Sequence, residues 1–394
     1  MNAAAVSAAQ TEVLTDTAAL PADWDALMAG VSPYLGRAYL QALAAAPPPG
    51  TRYVFAAVRQ GEALVAGAVF QLIALHGGQL PWLEAEGALP VRLFLWLTGR
   101  LPLRPRHLLL CGNLLHADAP GFVASPRVHD PAALLHAVAE QVRSHRPERV
   151  ALTLLKTPDL GAAAGQLESL GYVRTDGAEP TMQLAVDPAW RSGDDYVAAM
   201  RSKYRQRARA ARKRALGLST EVLDLAGVEQ HADALAGLLA PVLRRADVLL
   251  APIPAETLVA LKRGLGDAMR VKVWREDGAL VGFSASVRQG DALDGSLVAV
   301  TDAANRQHKL YQNALYDFVE EAIAAGVGHL DLGRTALEIK SAVGAEPHPV
   351  AIYLRSPNGL LHRLLAYAVA RLALPAWTPR HPFAGRDGAA IGAD

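Results

Sequence analysis

The segment that decides the fold runs from His329 to Arg355 and reads HLDLGRTALEIKSAVGAEPHPVAIYLR. Its pattern predicts a buried strand, a polar turn, a short helix and a second strand. Four charged side chains then lie at or just beyond the carboxyl end of the first strand: Asp331, Arg334, Glu338 and Lys340. Open α/β sheets bind their ligands at that end of the strands. The segment is therefore the first place to expect a functional site.

The composition of the whole chain indicates the class of protein. A chain of 394 residues, 51% of them hydrophobic, is long enough for two domains with a full core each. The formal net charge of +1 argues against a dedicated nucleic-acid binder but leaves room for local basic patches. The single cysteine, Cys111, cannot form an internal disulfide, so a reducing cytoplasm is the simplest compartment. The first residues show no signal peptide or spanning helix, which favours a cytoplasmic protein and leaves peripheral attachment to the inner membrane open.

Both halves of the chain show the periodicity of a mixed α/β protein, which predicts three regions. An N-terminal domain spans 1–189, a catalytic domain spans 190–358, and an amphipathic extension spans 359–394. The first boundary follows from DPAWRSG at 187–193, where proline and glycine precede Ser192, the first residue of a predicted capping box.

Two sequence echoes indicate an internal duplication. VRQGEALVAG at 58–67 resembles VWREDGALVG at 273–282, and each reads as two strands joined by a tight turn. The tetrapeptide GAEP occurs at 177–180 and again at 344–347, each time shortly before a predicted strand. A long insertion in the first half, at about 76–130, has no counterpart in this scheme.

The order of motifs in the second half resembles a known family. Leu332-Gly333-Arg334, followed by Lys340 to Gly344 and a closing strand, is similar to the C-terminal half of the FemABX-like branch of the GNAT acyltransferase superfamily. The resemblance covers roughly residues 50–356. It implies an α/β fold of tandem GNAT-like (acyl-CoA N-acyltransferase) domains with mixed central sheets, and it implies that Lys340 lies at the reaction centre.

A strongly basic helix is predicted from Arg201 to Arg214, where eight of fourteen residues are Lys or Arg. Like charges at i,i+4 destabilise a helix, so this density of cations favours an anionic partner over a merely solvated face. The phosphates of coenzyme A, an acyl carrier protein, a tRNA and anionic lipid headgroups all remain candidates. Lys203, Arg205 and Arg209 are the expected donor-binding cations. The predicted apolar stripe of the helix consists of Val197, Met200, Tyr204, Ala208 and Ala211.

The stretch TDAANRQHKLYQNALYDFVEEAI at 301–323 occupies the position where GNAT domains place an R/Q-x-x-G-x-G/A turn that holds the donor pyrophosphate. No glycine lies between Gly295 and Gly326, a departure that resembles FemABX-like proteins. His308 near the helix start is a candidate base or phosphate partner, with an exposed helix-start histidine as the simpler interpretation. Tyr311 and Arg334 complete the expected donor-binding set.

Amide formation from a thioester needs a neutral amine and a stabilised oxyanion. Glu338 and His308 are the candidate bases, and Lys340 is the candidate for stabilising the oxyanion. An ion pair with Arg334 is the structural alternative for Glu338, and Asp331 completes the candidate catalytic group with hydrogen bonding as its expected role. We expect no metal site, because no ligand cluster occurs in the sequence.

The predicted activity is N-acyl transfer from an acyl-CoA or an acyl carrier protein to an amine, without a permanently bound cofactor. The apolar basic stretches 91–107 and 359–377 favour a lipid acceptor such as a sphingoid base and contact with an anionic membrane surface, with packing on the protein's own core as the alternative. A Fem-like transferase that uses aminoacyl-tRNA on a cell-envelope precursor is a second prediction. A non-catalytic module that binds a carrier protein or a membrane is a third.

Overall fold

The computed structural model describes residues 9–28, 31–75, 106–113, 115–116, 119–146, 149–157, 164–175, 179–244, 252–370 and 376–384. These residues form fifteen strands, in chain order Ala9–Leu14 (β1), Thr51–Gln60 (β2), Ala63–Leu75 (β3), Arg106–Cys111 (β4), Phe122–Ala124 (β5), Arg149–Thr157 (β6), Val173–Thr175 (β7), Thr181–Ala185 (β8), Ser219–Leu223 (β9), Met269–Glu276 (β10), Ala279–Gln289 (β11), Ala292–Val300 (β12), His329–Asp331 (β13), Glu346–His348 (β14) and Ala351–Arg355 (β15).

The same part of the chain contains twelve α-helices. They are Trp24–Met28 (α1), Arg37–Ala45 (α2), Pro131–Ser144 (α3), Ala164–Ser169 (α4), Gly193–Ala199 (α5), Ser202–Arg214 (α6), Leu225–Arg244 (α7), Ala255–Leu265 (α8), Asp302–His308 (α9), Leu310–Ala325 (α10), Leu337–Ala342 (α11) and Gly359–Val369 (α12). Within the described ranges, no helix has the length and apolar character needed to cross a bilayer.

The chain divides into two compact units, each assembled from separate segments. The first unit comprises 1–179, 243–264 and 349–374, and the second comprises 180–242, 265–348 and 375–394. The chain therefore enters each unit more than once. This division differs from the contiguous regions predicted from the sequence, since β8 belongs to the second unit and β15 to the first.

The first unit is built on a sheet with the strand order β1-β2-β3-β4-β6-β15-β7, and β5 also pairs with β3. β4 and β6 run parallel, whereas the other neighbours run antiparallel. The core includes Cys111, which is fully buried at the end of β4. This sheet is mixed, as the sequence predicts.

The second unit has a sheet with the order β14-β8-β13-β12-β11-β10-β9, in which β12 and β13 are the parallel pair. Helix α10 is buried along most of its length and packs on β12. The close approach requires Gly295 in β12, because a Cβ atom there would lie 2.7 Å from the ring of Phe318. The packing places the amino-terminal end of α10 beyond the carboxyl end of β12.

The two sheets have the same arrangement of strands when the second is listed from its opposite edge, as β9-β10-β11-β12-β13-β8-β14. In both lists the fourth and fifth strands are the parallel pair. The agreement extends to a local irregularity. A register shift lies between Val58 and Arg59 in the first hairpin and between Trp274 and Arg275 in the second, which are matching positions of the two echoing segments. A β-bulge of this kind is a specific feature of a strand pair, so its repetition supports an internal duplication.

Two local features predicted from the sequence are confirmed. The helix predicted after Ser192 begins there, because its side-chain oxygen accepts a hydrogen bond from the Asp195 N–H at 3.2 Å. The strand, turn and short helix predicted after His329 are confirmed as β13 and α11, and the closing strand is divided into β14 and β15. Three predicted features fall partly outside the described residues. They are the insertion at 76–105, the first GAEP tetrapeptide at 177–178 and the amphipathic stretch at 371–375.

Candidate functional site

A cleft of about 420 Å³ opens in the second unit. It is formed by α6, the start of α10, α11 and the segment 376–384. Four of its lining side chains are cationic, namely Arg207, Arg214, Lys309 and Arg380, and one is a carboxylate, Glu338. The remaining lining residues are Tyr204, Ala210, Ala211, Gln312, Tyr316, Ile339 and Ala342. The cleft is therefore positively charged, with a partly apolar wall.

The junction of α9 and α10 brings a helix amino terminus to this cleft. Thr301 caps α9 by accepting a hydrogen bond from the Ala304 N–H at 3.2 Å. Lys309 then takes a left-handed conformation, with φ of 53°, and α10 starts directly after it, where Asn305 Oδ1 accepts a hydrogen bond from the Tyr311 N–H at 3.1 Å. Helix amino termini carry partial positive charge and unpaired N–H groups. Together with the surrounding cations, this end of α10 can bind an anion.

The sequence from Arg306 to Tyr311 has the spacing of the R/Q-x-x-G-x-G/A turn. Lys309 stands where the turn has its first glycine, and Tyr311 stands where it has the last. The left-handed φ of Lys309 is the conformation that glycine adopts most easily. The chain thus makes the turn without glycine. The spacing from Arg306 to Tyr311 is the sequence signal that would have identified Lys309 as a residue of this turn.

Helix α6 is fixed against α10 by ion pairs. The guanidinium of Arg212 donates to the carboxylates of Asp317 and Glu320, and Lys272 Nζ donates to Asp317 at 2.7 Å. Arg212 also lies over the ring of Tyr316, 5.6 Å from its centroid. These contacts hold the apolar face of α6 inward and leave Arg207 and Arg214 on the exposed side, where they line the cleft.

Tyr316 is the most deeply buried polar side chain of the cleft wall. Its hydroxyl accepts a hydrogen bond from Gln312 Nε2 at 3.0 Å. Burial raises the pKa of the Tyr316 phenol above its ordinary value. The hydroxyl is therefore a neutral hydrogen-bond donor near pH 7.

The three cations that the sequence assigned to donor binding do not line this cleft. Arg205 donates to the carbonyl oxygens of Ala198 at 2.9 Å and Met200 at 3.2 Å, and so satisfies the last turn of α5. Lys203 and Arg209 are exposed on α6. The basic helix predicted over 201–214 is confirmed as α6. Val197 and Met200 of its predicted apolar stripe lie before this helix, since the backbone is extended at Met200 between α5 and α6.

His308 is held by two acceptors at the end of α9. Its Nδ1 donates to the carbonyl oxygen of Arg214 at 2.8 Å, and its Nε2 lies 2.8 Å from Glu276 Oε1. The Arg214 carbonyl and then the Glu276 carboxylate raise the pKa of His308. Only the protonated imidazolium can donate to both partners. The geometry therefore favours a structural tie between α9, α6 and β10 over the predicted role as a base.

Lys340 is 2% exposed, and its Nζ donates to the carbonyl oxygens of Gly333, at 3.1 Å, and Arg334. Those carbonyls belong to a turn in which Gly333, Thr335 and Ala336 all have positive φ. Left-handed conformations at non-glycine residues are strained and persist only where the surroundings enforce them. Lys340 is one of the groups that enforce this turn.

Asp331 stabilises the same turn from the strand side. Its Oδ1 accepts a hydrogen bond from the Gly333 N–H at 2.5 Å, and its Oδ2 accepts one from Gln183 Nε2 at 2.9 Å. Both contacts are of the hydrogen-bonding kind expected for Asp331. Arg334 in the same turn and Tyr311 on α10 are half-buried and are not among the cleft-lining residues.

Glu338 lines the cleft and is exposed, but it has partners other than the expected Arg334. Its Oε2 accepts a hydrogen bond from Arg380 Nη2 at 3.0 Å, and its Oε1 accepts one from the Thr378 N–H at 3.2 Å. The Arg380 guanidinium, followed by the Thr378 N–H, holds the pKa of Glu338 below its ordinary value. The carboxylate therefore lies two residues from Lys340, the predicted reaction centre, and each of its oxygens accepts a hydrogen bond.

Comparisons with known proteins agree on the fold. Residues 202–347 match the family model described as "Acetyltransferase (GNAT) domain". A solved structure titled "Crystal structure of FemX" is 12% identical, with a TM-score of 0.54, and the match covers 91% of this chain and 100% of that one. A "Tandem GNAT protein from the clavulanic acid biosynthesis pathway (without AcCoA)" is 14% identical, with a TM-score of 0.50, over 89% of this chain and 99% of that one.

A protein of unknown function from Bacteroides thetaiotaomicron VPI-5482 is 11% identical, with a TM-score of 0.50, over 88% of this chain and 99% of that one. No curated protein matches the sequence. The predicted fold class is confirmed: the chain has two GNAT-like α/β domains in tandem with mixed central sheets, and residues 202–347, which contribute most of the cleft, form the GNAT-type domain that the family model matches.

Proposed function

We propose that the chain is an N-acyltransferase whose second unit binds an acyl thioester in the cationic cleft and transfers the acyl group to an amine. The observation that carries this proposal is the position of four cations in the cleft at the start of α10, beyond the carboxyl end of β12. Open α/β sheets bind ligands at that end, and helix amino termini bind phosphate groups there.

The donor is an acyl-CoA or the phosphopantetheine arm of an acyl carrier protein. Its phosphates contact Arg207, Arg214 and Lys309, whose side chains are all exposed. The uncharged pantetheine arm follows the apolar part of the wall, along Ala211 and Ile339. Coenzyme A carries three phosphates and the carrier arm only one, so the number of cations favours the coenzyme.

In this proposal Lys340 and Asp331 position the turn after β13 and contact neither the donor nor the acceptor. The acyl oxygen is polarised by the neutral hydroxyl of Tyr316, which is a suitable donor for an oxyanion. The reaction needs no permanently bound cofactor, because the thioester already supplies the activated acyl group.

The proposed acceptor is a lipid amine such as a sphingoid base, presented at an anionic membrane surface. Helix α12 supports this choice within the first unit. Leu360 is 63% exposed and Tyr367 is 41% exposed, and the cation between them, Arg363, is exposed as well. Basic helices with an open apolar face bind to the interface of anionic bilayers.

Calorimetric titration of the purified chain with coenzyme A and with holo acyl carrier protein tests the donor. We expect coenzyme A to bind, and Arg207→Gln with Arg214→Gln to weaken its affinity at least tenfold, since each loses a charge-assisted phosphate contact. The matched control is Arg205→Gln with Arg209→Gln, which removes two cations of the same helix outside the cleft. Equal weakening by both pairs, or no binding by the wild type, would overturn the assignment.

Transfer of aminoacyl groups from tRNA to a cell-envelope precursor is the second candidate. Its support is the likeness in fold to FemX and the row of exposed cations on α6 outside the cleft, which includes Lys203 and Arg209. A tRNA that binds with strong salt dependence, and that is released by Lys203→Gln with Arg209→Gln, would favour it over coenzyme A. Tight coenzyme A binding without turnover of any amine would instead indicate a non-catalytic module that binds its carrier or a membrane.

A further inference from the structure

Helix α6 exposes cations that do not belong to the cleft. Lys203, Arg209 and Lys213 are exposed and are not among the cleft-lining residues. Within the part of the chain that the structure describes, none of the three forms an ion pair with a carboxylate. The sequence has no acidic residue between Asp195 and Glu221. The exposed side of α6 therefore carries positive charge that no acid of its own helix offsets.

A large apolar side chain lies beside these cations. Leu216 is 80% exposed, which is the highest value among the large hydrophobic side chains of the described residues. Ala215 still has the right-handed helical conformation, and the Leu216 N–H donates to the Lys213 carbonyl oxygen at 3.5 Å. Arg209, Lys213 and Leu216 follow one another at spacings of four and three residues, so they lie on one face of the helix. These three residues are called the basic face of α6 below.

The basic face lies on the helix that borders the cleft. Arg207 and Arg214, seven residues apart, line the cleft from α6. The opposite side of the helix is buried through Ala208 and Ala211. Both rows of cations therefore lie on the exposed half of α6. A surface that binds the basic face is consequently next to the cleft.

Cations beside an exposed leucine fit an anionic bilayer better than a nucleic acid. In a bilayer, headgroup phosphates pair with Lys and Arg, and the acyl chains that begin just below them accept an apolar side chain. The long stems of Lys and Arg let their charged ends stay at the headgroups while a neighbouring leucine inserts. A nucleic-acid backbone offers phosphates without an aliphatic region, so it leaves Leu216 in water.

We infer that the basic face of α6 binds an anionic bilayer, with Arg209 and Lys213 on lipid phosphates and Leu216 between the acyl chains. This inference deepens the proposed function and rests on it for its purpose, because a lipid amine in that bilayer reaches the cleft along α6 without crossing bulk water. Helix α12 belongs to the first unit and is a separate surface.

Cosedimentation of the whole chain with vesicles tests the inference. The anionic vesicles are an equimolar mixture of phosphatidylglycerol and phosphatidylcholine, and pure phosphatidylcholine is the neutral probe. We expect binding to the anionic vesicles alone, and weaker binding as the salt concentration rises. One cation near an anionic bilayer contributes about fivefold to the affinity, so Arg209→Gln with Lys213→Gln should weaken binding about 25-fold. Arg288→Gln, which removes an exposed cation of β11, is the charge control and should leave binding unchanged.

Leu216→Gln separates insertion from charge, since it removes the apolar side chain and adds no charge. We expect it to weaken vesicle binding about tenfold, the lower end of the effect of burying a leucine. Val242→Gln is the matched control, because Val242 is an exposed apolar residue of α7 in the same unit. A polarity-sensitive fluorophore on Leu216→Cys should report an apolar environment when anionic vesicles are added. Cys111 is fully buried and stays unlabelled. Melting temperatures check that each variant keeps its fold.

Three results would overturn the inference. The first is a wild type that binds anionic and neutral vesicles equally, or neither. The second is an effect of Arg209→Gln with Lys213→Gln no larger than that of Arg288→Gln, which would move any bilayer contact to another surface such as α12. The third is wild-type binding by Leu216→Gln together with a fluorophore that stays in water. A tRNA that competes with the vesicles would then assign the face to nucleic acid.

The proposed function fails on different evidence. If coenzyme A does not bind, or if no acyl group is transferred to a water-soluble amine, the assignment of the cleft is removed. Vesicle binding through the basic face would still stand in that case, so the two failures are distinguishable.

Discussion

The Nζ atom of Lys340 lies 3.1 Å from the carbonyl oxygen of Gly333, seven residues earlier in the chain, and it also donates to Arg334 O. The sequence predicts an oxyanion role for this lysine, and Lys340→Ala would then stop acyl transfer without disturbing the fold. The hydrogen bonds lead to a different expectation. The substitution removes one hydrogen bond from each of two carbonyl groups of the turn, although Gly333 O keeps the Met182 N–H as a donor at 3.0 Å. Removing one partner of a buried hydrogen bond costs about 1–3 kcal/mol.

We therefore expect Lys340→Ala to lose stability and activity together. Chemical denaturation and a turnover assay on the same preparation check this. Lys213→Ala is the control, since it removes an exposed lysine of α6 that does not line the cleft. Unchanged unfolding free energy with no turnover would restore the catalytic role of Lys340.

The His308–Glu276 pair should make stability depend on pH. The folded-state pKa of His308 is raised above the ordinary value of about 6.5, so folding favours the protonated form. The contribution of the pair is fully present below pH 6.5 and is lost as the pH rises through the raised pKa of the folded state. His308→Gln should consequently destabilise the protein more at pH 6 than at pH 9. Urea unfolding of both proteins across that range measures the difference, and a gap that does not change with pH would contradict it.

Gly295 should tolerate no side chain. A methyl group there meets the ring of Phe318 at 2.7 Å, and overpacking of a core typically costs about 1–3 kcal/mol. Gly295→Ala is therefore expected to lower the unfolding free energy by that amount and to displace α10 from β12. Gly237→Ala is the matched control in α7, where an added methyl group meets no atom within 4 Å. The alanine also reduces the conformational entropy of the unfolded chain. The control should be neutral or stabilising by up to about 1 kcal/mol.

The exposed face of α12 should decide whether the protein binds membranes. Leu360→Asp with Leu364→Asp replaces the exposed Leu360 and the half-buried Leu364 one turn later. Each fully buried leucine contributes roughly 1.5–3 kcal/mol. We expect the double variant to lose cosedimentation with vesicles of anionic lipid. Val31→Asp is the control, because Val31 is exposed in the first unit and does not belong to α12. If the wild type does not cosediment with vesicles, or if the melting temperature of the variant falls sharply, the face belongs to the protein's own core. The sequence predicts a different apolar face, made of Leu361, Leu364, Leu365, Ala368 and Leu372; Ala368 is buried, and Leu372 lies outside the described residues.

The sequence predicts those features whose signals are local. The capping residue Ser192, the strand at 329–331 and the short helix at 337–342 follow from residue types within a few positions of each other, and the structure confirms them. The site could be predicted only in part, because its groups are brought together by tertiary contacts. Glu338 meets Arg380, which is 42 residues away in sequence.

The direction of a side chain on a helix is predictable, but its partner is not. A helical wheel places Arg205 outside the apolar stripe, yet the break at Met200 gives Arg205 two backbone carbonyls to bind. The same limit applies to His308, whose acceptors come from a helix and a strand that precede it by 94 and 32 residues. Such pairs depend on the packing of elements that no local pattern describes.

The placement of β15 between β6 and β7 has a consequence for synthesis on the ribosome. β6 and β7 are complete by residue 175, but neither can form its hydrogen bonds to β15 until residues 351–355 have been made. Through that interval the nascent first sheet ends at an unpaired edge on β6, the kind of edge on which strands of other chains can add. Translation of the intervening 175 residues at about 5–20 residues per second keeps the edge open for roughly 10–35 seconds, during which a chaperone or another element of the chain has to cover it.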